Sequence, residues 1–203
     1  MMKSYPTIST KIKPTQIYAF DKIDGSNIRV EWSDKQGFYK FGSRTQLIDE
    51  NTYMLGESVN LIMENFADDL AAKFTKNRWN RTVAFFEFHG KNSFCGSHED
   101  EDHKLTLIDV NVYKRGMLEP EKFVETFGDL EIPLVLHRGF VTEELIDEAK
   151  NGTLEGMTFE GIVCKYQNKK KNMVGMFKVK NRAWLNRLKD RCGTNEALYR
   201  KLK

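Results

Sequence analysis

The feature of this sequence with the clearest chemical meaning is a lysine that is separated by one residue from an Asp-Gly-Ser turn. The segment Phe20–Asn27 places Lys22 among polar residues, just before a run of alternating apolar and polar residues. A lysine amine attacks phosphorus or carbonyl carbon only when it is neutral, so a nucleophilic lysine needs surroundings that favour loss of its proton. Gly25 allows a ligand to approach the backbone closely. Alone, the pattern is also typical of a solvated turn, so the chemical interpretation depends on its context.

Further charged residues follow Lys22 in a fixed order. On one predicted strand, alternation places the carboxylate of Glu87 on the face opposite Phe86 and Phe88. Near the end, Lys178 and Lys180 share a strand face because they are two residues apart. A lone strand carboxylate or lysine is usually just exposed, so the order of the segments carries the signal. The segments are Gly42–Thr45, Phe85–Gly90, Leu107–Val110, Glu160–Lys165 and Met176–Lys180.

The composition indicates an ordinary folded protein. The chain has 203 residues, of which 40% are hydrophobic and 30% charged, and this excludes a disordered chain, a collagen-like chain and a disulfide scaffold. We expect one domain over residues 1–203, because that length fits one sizeable core. No apolar run is long enough for a membrane span, and the first residues lack the apolar core of a secretion signal. Three scattered cysteines, Cys95, Cys164 and Cys192, indicate reduced thiols and a cytoplasmic location.

Charge is divided unevenly along the chain. Residues 165–203 carry a balance of +11, whereas the whole chain carries only +3. This division favours an anionic partner, most simply nucleic acid or nucleotide, near the C-terminal part. A solubilising basic tail is the alternative. The candidate nucleic-acid contacts are Arg182, Arg187, Lys189 and Arg191.

Hairpins joined by helices predict an α+β fold with largely antiparallel sheets. The predicted strands are 28–32, 38–41, 82–88, 105–113, 134–136, 159–165 and 173–179. The predicted helices are 53–74, a short one from Pro120 to Gly128, 143–150 after a Thr142 cap, and one from Ala183 that is interrupted near Gly193.

The ordered segments resemble the covalent nucleotidyltransferase superfamily, which comprises ATP-dependent RNA and DNA ligases and the guanylyltransferases of mRNA capping. Asn27, after Asp-Gly-Ser, and the opening 5–8 segment are similar to RNA ligases of bacteriophage type. The resemblance implies a nucleotidyltransferase fold, an ATP-grasp-like ligase catalytic core. We expect no C-terminal OB-fold domain, because 23 residues after Lys180 are too few for one.

The resemblance also implies a three-step reaction with ATP and Mg²⁺, for which Mn²⁺ can substitute. Lys22 forms a lysyl-adenylate, AMP passes to a 5′-phosphate end of RNA, and a 3′-hydroxyl displaces AMP. By the same resemblance, Glu87 and Glu160 hold the metal ion through water, and neighbouring cations with the metal ion favour a neutral Lys22. The nucleotide-binding residues are Asp24, Gly25, Asn27, Arg44, Glu87, Ile108, Glu160, Lys178 and Lys180.

Several alternatives stay open at this point. RNA ligases usually have an aromatic residue at the position of Ile108, so adenine would stack here on aliphatic groups or on another ring. A DNA ligase core acting on DNA ends, a capping guanylyltransferase and a non-catalytic nucleotide and nucleic-acid-binding protein are the other functions. We expect a monomer with no membrane association, and an accessory nucleic-acid-binding protein is one way to complete end joining.

Two weaker patterns accompany these. Cys95, His98 and His103 have the spacing of zinc ligands but lack an obvious fourth ligand. Trp184 and Tyr199 lie among basic residues, where they would stack on nucleic-acid bases or pack an amphipathic helix on the core.

Overall fold

The computed structural model describes residues 4–91, 93–96, 100–168 and 173–203. This part of the chain forms ten strands and six helices. The strands are β1 (Gln16–Asp21), β2 (Ser26–Ser33), β3 (Gly37–Ser43), β4 (Leu47–Ile48), β5 (Arg81–His89), β6 (Lys104–Val112), β7 (Gly116–Met117), β8 (Val135–Phe140), β9 (Gly161–Asn168) and β10 (Met173–Lys180). The helices are α1 (Glu57–Asn65), α2 (Ala67–Lys76), α3 (Pro120–Phe127), α4 (Glu143–Asn151), α5 (Arg182–Cys192) and α6 (Glu196–Leu202).

Two antiparallel sheets organise these elements. One has the strand order β10-β9-β1-β8, and the other has the order β4-β3-β2-β5-β6-β7. In the first sheet, Asp21 pairs with Ile162 and Lys180 pairs with Gly161, so the ends of β1 and β10 meet at the start of β9. In the second sheet, Asn27 pairs with Glu87. The predicted α+β class with antiparallel sheets is confirmed.

Three apolar clusters hold the layers together. The largest packs α1, α2 and α3 against the six-stranded sheet, with Phe74 and Phe86 among its fully buried rings. A second cluster joins the four-stranded sheet to α4 through residues such as Ile17 and Leu145. The third joins α5 to the loop that contains Cys95. No helix in the described ranges has both the length and the apolar character that a membrane span requires.

The predicted single helix over 53–74 is wrong. The chain forms turns up to Gly56 and then two helices separated at Phe66, whose backbone (φ −130°, ψ −23°) is not helical. The Phe66 ring is buried, and its centroid lies 5.0 Å from that of Phe86 in an edge-on contact. The bend at Phe66 allows this contact in the core, and the spacing of apolar residues in the sequence does not predict the bend. Tyr53, the first residue of the predicted helix, is 89% exposed.

The other predicted helix ends agree closely with the structure. Thr142 caps α4 by accepting a hydrogen bond from the Leu145 amide at 3.1 Å, and Gly152 ends that helix in the left-handed conformation (φ 75°). Pro120 begins α3. The C-terminal helix is interrupted near Gly193, as predicted, and gives α5 and α6.

The sequence prediction omitted β1. This strand lies inside the four-stranded sheet between β9 and β8, and it leads directly to Lys22. Its residues Ile17, Ala19 and Phe20 are buried, and Asp21 is buried with them. Predicted strand 159–165 begins two residues later, at Gly161, and continues to Asn168.

Candidate active site

Backbone contacts fix Lys22 where the two sheets meet. Its amide donates to the Gly161 carbonyl at 2.9 Å, immediately after the last residue of β1. Gly25 then brings the chain onto β5. A Cβ atom at Gly25 would lie 2.3 Å from the Phe88 carbonyl oxygen, so no other residue fits without a backbone shift. The turn that follows Lys22 is therefore packed against the six-stranded sheet.

One buried carboxylate joins two of the predicted lysines. Lys22 Nζ donates to Glu160 Oε2 at 2.6 Å, and Lys180 Nζ lies 2.9 Å from Glu160 Oε1. Glu160 is only 4% exposed. Because a buried carboxylate is costly unless it is paired, the two ammonium groups are what make this position tenable. The three charges form a row across the junction of β1, β9 and β10.

The carboxylates of the site dominate the protonation of Lys22. Burial acts to lower the pKa of Lys22, but Glu160, Glu87 and Asp24 outweigh burial and raise the pKa above its ordinary value. The protein groups alone thus act against a neutral Lys22. The expectation that the cations together with a metal ion favour the neutral amine stays a prediction.

Two acidic groups hold their protons more tightly than usual. Burial, together with the charges of Glu160 and Asp24, raises the pKa of Glu87 to about 8, against the opposing effect of Lys22 and Arg44. Burial and the Glu160 charge also raise the pKa of Asp24. Burial is the largest cause of both increases, and it acts although Lys and Arg outnumber Asp and Glu in the cavity wall.

Lys178 and Lys180 reach the same cavity from β10, but α6 also contacts them. Lys178 Nζ donates to the Lys203 carbonyl at 2.8 Å, and Lys180 Nζ donates to the Leu202 carbonyl at 3.0 Å. Burial and the charges of Lys180 and Lys22 lower the pKa of Lys178 to about 8. Sequence analysis did not anticipate this contact, because nothing in the α6 sequence points to its docking site.

All ten residues predicted to bind or attack the nucleotide line one cavity of about 700 Å³. That volume falls in the range typical of small-molecule sites. The ten are Lys22, Asp24, Gly25, Asn27, Arg44, Glu87, Ile108, Glu160, Lys178 and Lys180. The geometry therefore brings together residues that are up to 158 positions apart in the sequence.

The wall around Ile108 rests on a buried polar network that sequence analysis missed. Tyr5 donates its hydroxyl hydrogen to Asp109 Oδ2 at 2.6 Å. Lys165 Nζ lies 2.8 Å from the same oxygen and also donates to the Ile108 carbonyl at 2.6 Å. Burial and the neighbouring Asp109 raise the pKa of Tyr5 well above its ordinary value. The sequence did contain a sign of buried polar groups, since Asp109 interrupts one apolar strand and Lys165 follows the apolar residues of another.

The predicted nucleic-acid contacts lie on α5, outside the cavity wall. Arg182 donates to Asn151 Oδ1 at 2.6 Å, and the Arg187 guanidinium lies 5.8 Å from the centroid of the Phe159 ring. Lys189 and Arg191 are exposed. Trp184, on the same helix, is 3% exposed and packs with Cys95 and Leu188, so of the two alternatives for its ring the structure has core packing.

The zinc-like spacing gains no support from the geometry. Cys95 is buried with Trp184 and Leu188, and burial raises the pKa of its thiol to about 11, which disfavours the thiolate that zinc requires. Both ring nitrogens of His103 are engaged, one with Glu57 and the other with the Lys91 carbonyl. The third predicted ligand, His98, lies outside the described residues.

Glu87 and Glu160 suit a magnesium ion that keeps most of its water. Within the described ranges, no group of three or more His, Cys, Asp or Glu side chains is arranged to hold a metal ion. Magnesium commonly binds through one or two carboxylates, waters and substrate phosphates rather than in an all-protein cage. The donor set in this cavity matches that description.

Comparison with solved structures identifies a similar fold in RNA ligases. A mutant of the Naegleria gruberi RNA ligase with AMP and Mn superposes with a TM-score of 0.62 at 14% identity, covering 93% of this chain and 59% of that one. The same enzyme with PPi gives a TM-score of 0.58 at 17% identity, covering 88% and 53%. A mutant of that enzyme with ATP and Mn gives a TM-score of 0.58 at 16% identity, covering 88% of this chain and 52% of that one. The chain thus spans between about half and three fifths of the length of these relatives.

Sequence comparison assigns the family. No curated protein matches the chain in sequence. The family model described as RNA ligase matches residues 15–180, which include every residue of the cavity named above from Lys22 to Lys180. That match covers most of the chain, and the fold and the cavity agree with it. This chain therefore belongs to the RNA ligase family.

Proposed function

We propose that this chain is an ATP-dependent RNA ligase that uses Lys22 as its nucleophile. The observation that carries the proposal is the single buried carboxylate, Glu160, that joins Lys22 to Lys180 inside a cavity of nucleotide size. A nucleotide-binding protein needs cations for phosphate, but it has no use for a lysine held next to a proton acceptor. Membership of the RNA ligase family supports the same conclusion.

In the first step, the Lys22 amine attacks the α-phosphorus of ATP. A nitrogen–phosphorus bond forms, the bond from that phosphorus to the bridging oxygen breaks, and pyrophosphate leaves. Before the attack, the Lys22 ammonium must lose a proton. Glu160 Oε2, at 2.6 Å, is placed to accept it. The other oxygen of Glu160 remains held by Lys180, so the carboxylate keeps its orientation during the transfer.

Fixed cations around the cavity stabilise the charge that develops on the phosphate oxygens. In this proposal Lys178 and Lys180 on β10 bind the α-phosphate, and Arg44, which lines the same cavity and acts on Glu87, adds a further positive charge. In phosphoryl transfer such preorganised charges supply most of the catalytic effect. Glu87 and Glu160 would hold a magnesium ion through water, and its positive charge would favour the neutral Lys22 amine.

The later steps require RNA ends. AMP passes from Lys22 to a 5′-phosphate, and a 3′-hydroxyl then attacks that phosphorus and releases AMP, which seals the strand. The basic face of α5 is the proposed contact for the RNA backbone, since its exposed lysine and arginine side chains lie outside the ATP cavity. DNA ends are the alternative substrate, and a protein that binds nucleotide without catalysis is the alternative function.

Covalent labelling tests the proposal directly. The chain is incubated with each α-labelled nucleoside triphosphate and Mg²⁺ or Mn²⁺, and labelled protein is detected after denaturing electrophoresis. We expect labelling with ATP only, and none in Lys22→Ala or Lys22→Arg, because arginine stays protonated at working pH. Lys35→Ala is the matched control, because Lys35 lies in the exposed turn between β2 and β3.

Two results would contradict the proposal. ATP binding without covalent label would indicate the non-catalytic alternative, and label that survives Lys22→Ala would place the nucleophile elsewhere. Pre-adenylylated RNA and DNA ends, offered to the unlabelled protein in matched pairs, then decide which nucleic acid is joined.

A further inference from the structure

Trp184 links α5 to the ionic groups of the cavity. It is the third residue of α5, and the helix begins only two residues after the end of β10. Its side chain is 3% exposed, lies in the cavity wall, and packs against Cys95 and Leu188 on its other side. A large ring is thus fixed between an apolar cluster and the site.

The face of the Trp184 ring lies against Lys180. The Lys180 ammonium nitrogen is 3.7 Å from the ring centroid. Tryptophan is the best aromatic partner for a cation, and the attraction is greatest where water is excluded. Lys180 in turn lies 2.9 Å from Glu160, which accepts a hydrogen bond from Lys22 at 2.6 Å. Trp184 therefore stands at the end of a chain of contacts that leads to the proposed nucleophile.

The edge of the same ring faces Asp24. Among the described residues, neither the indole nitrogen of Trp184 nor Asp24 Oδ2 has a hydrogen-bond partner within 3.5 Å, although both atoms are buried. Burial and the Glu160 charge raise the pKa of Asp24, and the Trp184 N–H opposes that increase by stabilising the carboxylate. The Trp184 N–H is therefore near enough to the Asp24 carboxylate to influence its charge, although the two make no hydrogen bond within 3.5 Å.

We propose that Trp184 is a positioning residue for transfer of AMP to Lys22. Its ring face holds the Lys180 ammonium beside Glu160, and its N–H lies in the same cavity wall as Asp24, two residues after Lys22. The inference rests on the proposed function, because it assigns Trp184 a role in the same step. It also gives α5 a task distinct from contact with RNA.

Two substitutions separate the two contacts. Trp184→Leu removes both the ring and the N–H, and we expect the rate of lysyl-AMP formation at saturating ATP to fall about 30-fold, the scale of a desolvated cation–π contact. Trp184→Phe keeps an aromatic face and removes the N–H. We expect it to recover most of the rate at high pH but to move the acidic limb of the pH–rate profile upward, because Asp24 then holds its proton to higher pH.

Trp79→Phe is the matched control. Trp79 is 4% exposed and packs on Phe74 and Phe127 in the main core. We expect it to lower the melting temperature without changing the pH–rate profile. An unchanged rate and profile in both Trp184 variants would overturn the inference, and so would an equal change in Trp79→Phe.

A readout without ATP separates this inference from the proposed function. After brief treatment with acetic anhydride, peptide mass spectrometry measures acetylation of Lys180 relative to exposed Lys35. We expect Trp184→Leu to increase this ratio, because the Lys180 ammonium then loses the stabilising contact with the ring and becomes more accessible to the reagent. If the unaltered chain takes no AMP label but the ratio still rises, the proposed function fails and the Lys180–Trp184 contact stands. An unchanged ratio overturns the contact itself.

Discussion

Lys178 Nζ donates a hydrogen bond to the main-chain carbonyl oxygen of Lys203 at 2.8 Å, and Lys180 makes the equivalent contact with Leu202 at 3.0 Å. The last carbonyls of a helix lack partners within it and carry partial negative charge. The end of α6 therefore offers the two lysines oxygen atoms much as a phosphate does. If Lys178 and Lys180 bind ATP phosphates as proposed, α6 and ATP need the same ammonium groups, and we expect them to compete.

Removal of residues 201–203 tests this competition. The truncation deletes both acceptor carbonyls but retains Leu198 and Tyr199, which pack on the cluster around Trp184. We expect the KM for ATP in self-adenylylation to fall by up to about 30-fold, since two hydrogen bonds worth roughly 1 kcal/mol each are lost. Initial rates of lysyl-AMP formation across an ATP series measure it.

The control keeps the carbonyls and removes nearby charge. In Lys201→Ala with Lys203→Ala, the backbone oxygens remain, so the KM for ATP should stay near that of the unaltered chain. If this variant and the truncation lower KM equally, side-chain charge rather than the carbonyls governs access to the cavity, and the competition argument fails.

Alanine at Lys178 or at Lys180 should slow lysyl-AMP formation by about 10²-fold or more, the usual scale for loss of a transition-state donor. The two variants should differ in stability. Lys180 is only 7% exposed and shares the buried Glu160 with Lys22, whereas Lys178 has no such ion pair among the described contacts. We therefore expect a clear decrease in melting temperature for Lys180→Ala and a small one for Lys178→Ala. Rapid labelling in both variants would show that neither lysine takes part in AMP transfer to Lys22.

Glu87 makes stability depend on pH. Its pKa is raised from 4.5 to about 8, so between these values the folded chain holds a proton that the unfolded chain has released. The free energy of unfolding therefore decreases as pH rises through this window. Glu87→Gln should remove that part of the decrease, which melting temperatures between about pH 5 and 8 will show. Magnesium should bind with release of a proton, because it favours the carboxylate.

Glu64→Gln is the matched control for this measurement. Glu64 lies exposed on α1, away from the cavity wall. Its substitution should leave the pH dependence of the melting temperature unchanged. If Glu87→Gln behaves in the same way, Glu87 is ionised in the folded protein at neutral pH, and the argument from burial is wrong.

The sequence predicted the members of the cavity better than their protonation. Alternation along a strand dictates which side chains share a face, so Glu87, Lys178 and Lys180 could be assigned to one site from spacing and motif order. The direction in which the pKa of Lys22 is shifted could not be predicted, because it depends on whether Glu160 or the cations lie closer to Lys22. That difference is a matter of a few ångströms across a tertiary contact.

Long-range polar contacts were the main omission. Tyr5 and Asp109 are 104 residues apart, and although Asp109 interrupts an apolar strand, the sequence does not say which residue is its partner. The same holds for the carbonyls of Leu202 and Lys203, since backbone acceptors leave no trace in residue type. In the case of β1, the strand was hidden because its buried residues do not alternate strictly: Ala19, Phe20 and Asp21 are all buried in succession.

We expect the basic face of α5 to contact RNA. Lys and Arg that neutralise phosphates release counterions, so binding should weaken by about 0.7 to 0.9 log units per contact for each tenfold increase in salt. Replacing Arg187, Lys189 and Arg191 with glutamine should therefore weaken RNA binding and flatten its salt dependence. Filter binding of a 5′-phosphorylated RNA across a salt series measures both. AMP loading of Lys22 should continue, because these side chains lie outside the cavity wall.

The matched control is a variant with glutamine at Lys35, Lys40 and Lys114. It also removes three positive charges, but at the far end of the six-stranded sheet. These residues lie at the β2–β3 turn, on β3 and just after β6, away from the cavity. If only the α5 variant loses sealing of pre-adenylylated ends while it keeps AMP loading, α5 holds the RNA. If both variants weaken binding equally, net charge rather than α5 attracts RNA. Loss of AMP loading together with sealing would show instead that α5 acts through the cavity, since Trp184 and the basic residues share one helix.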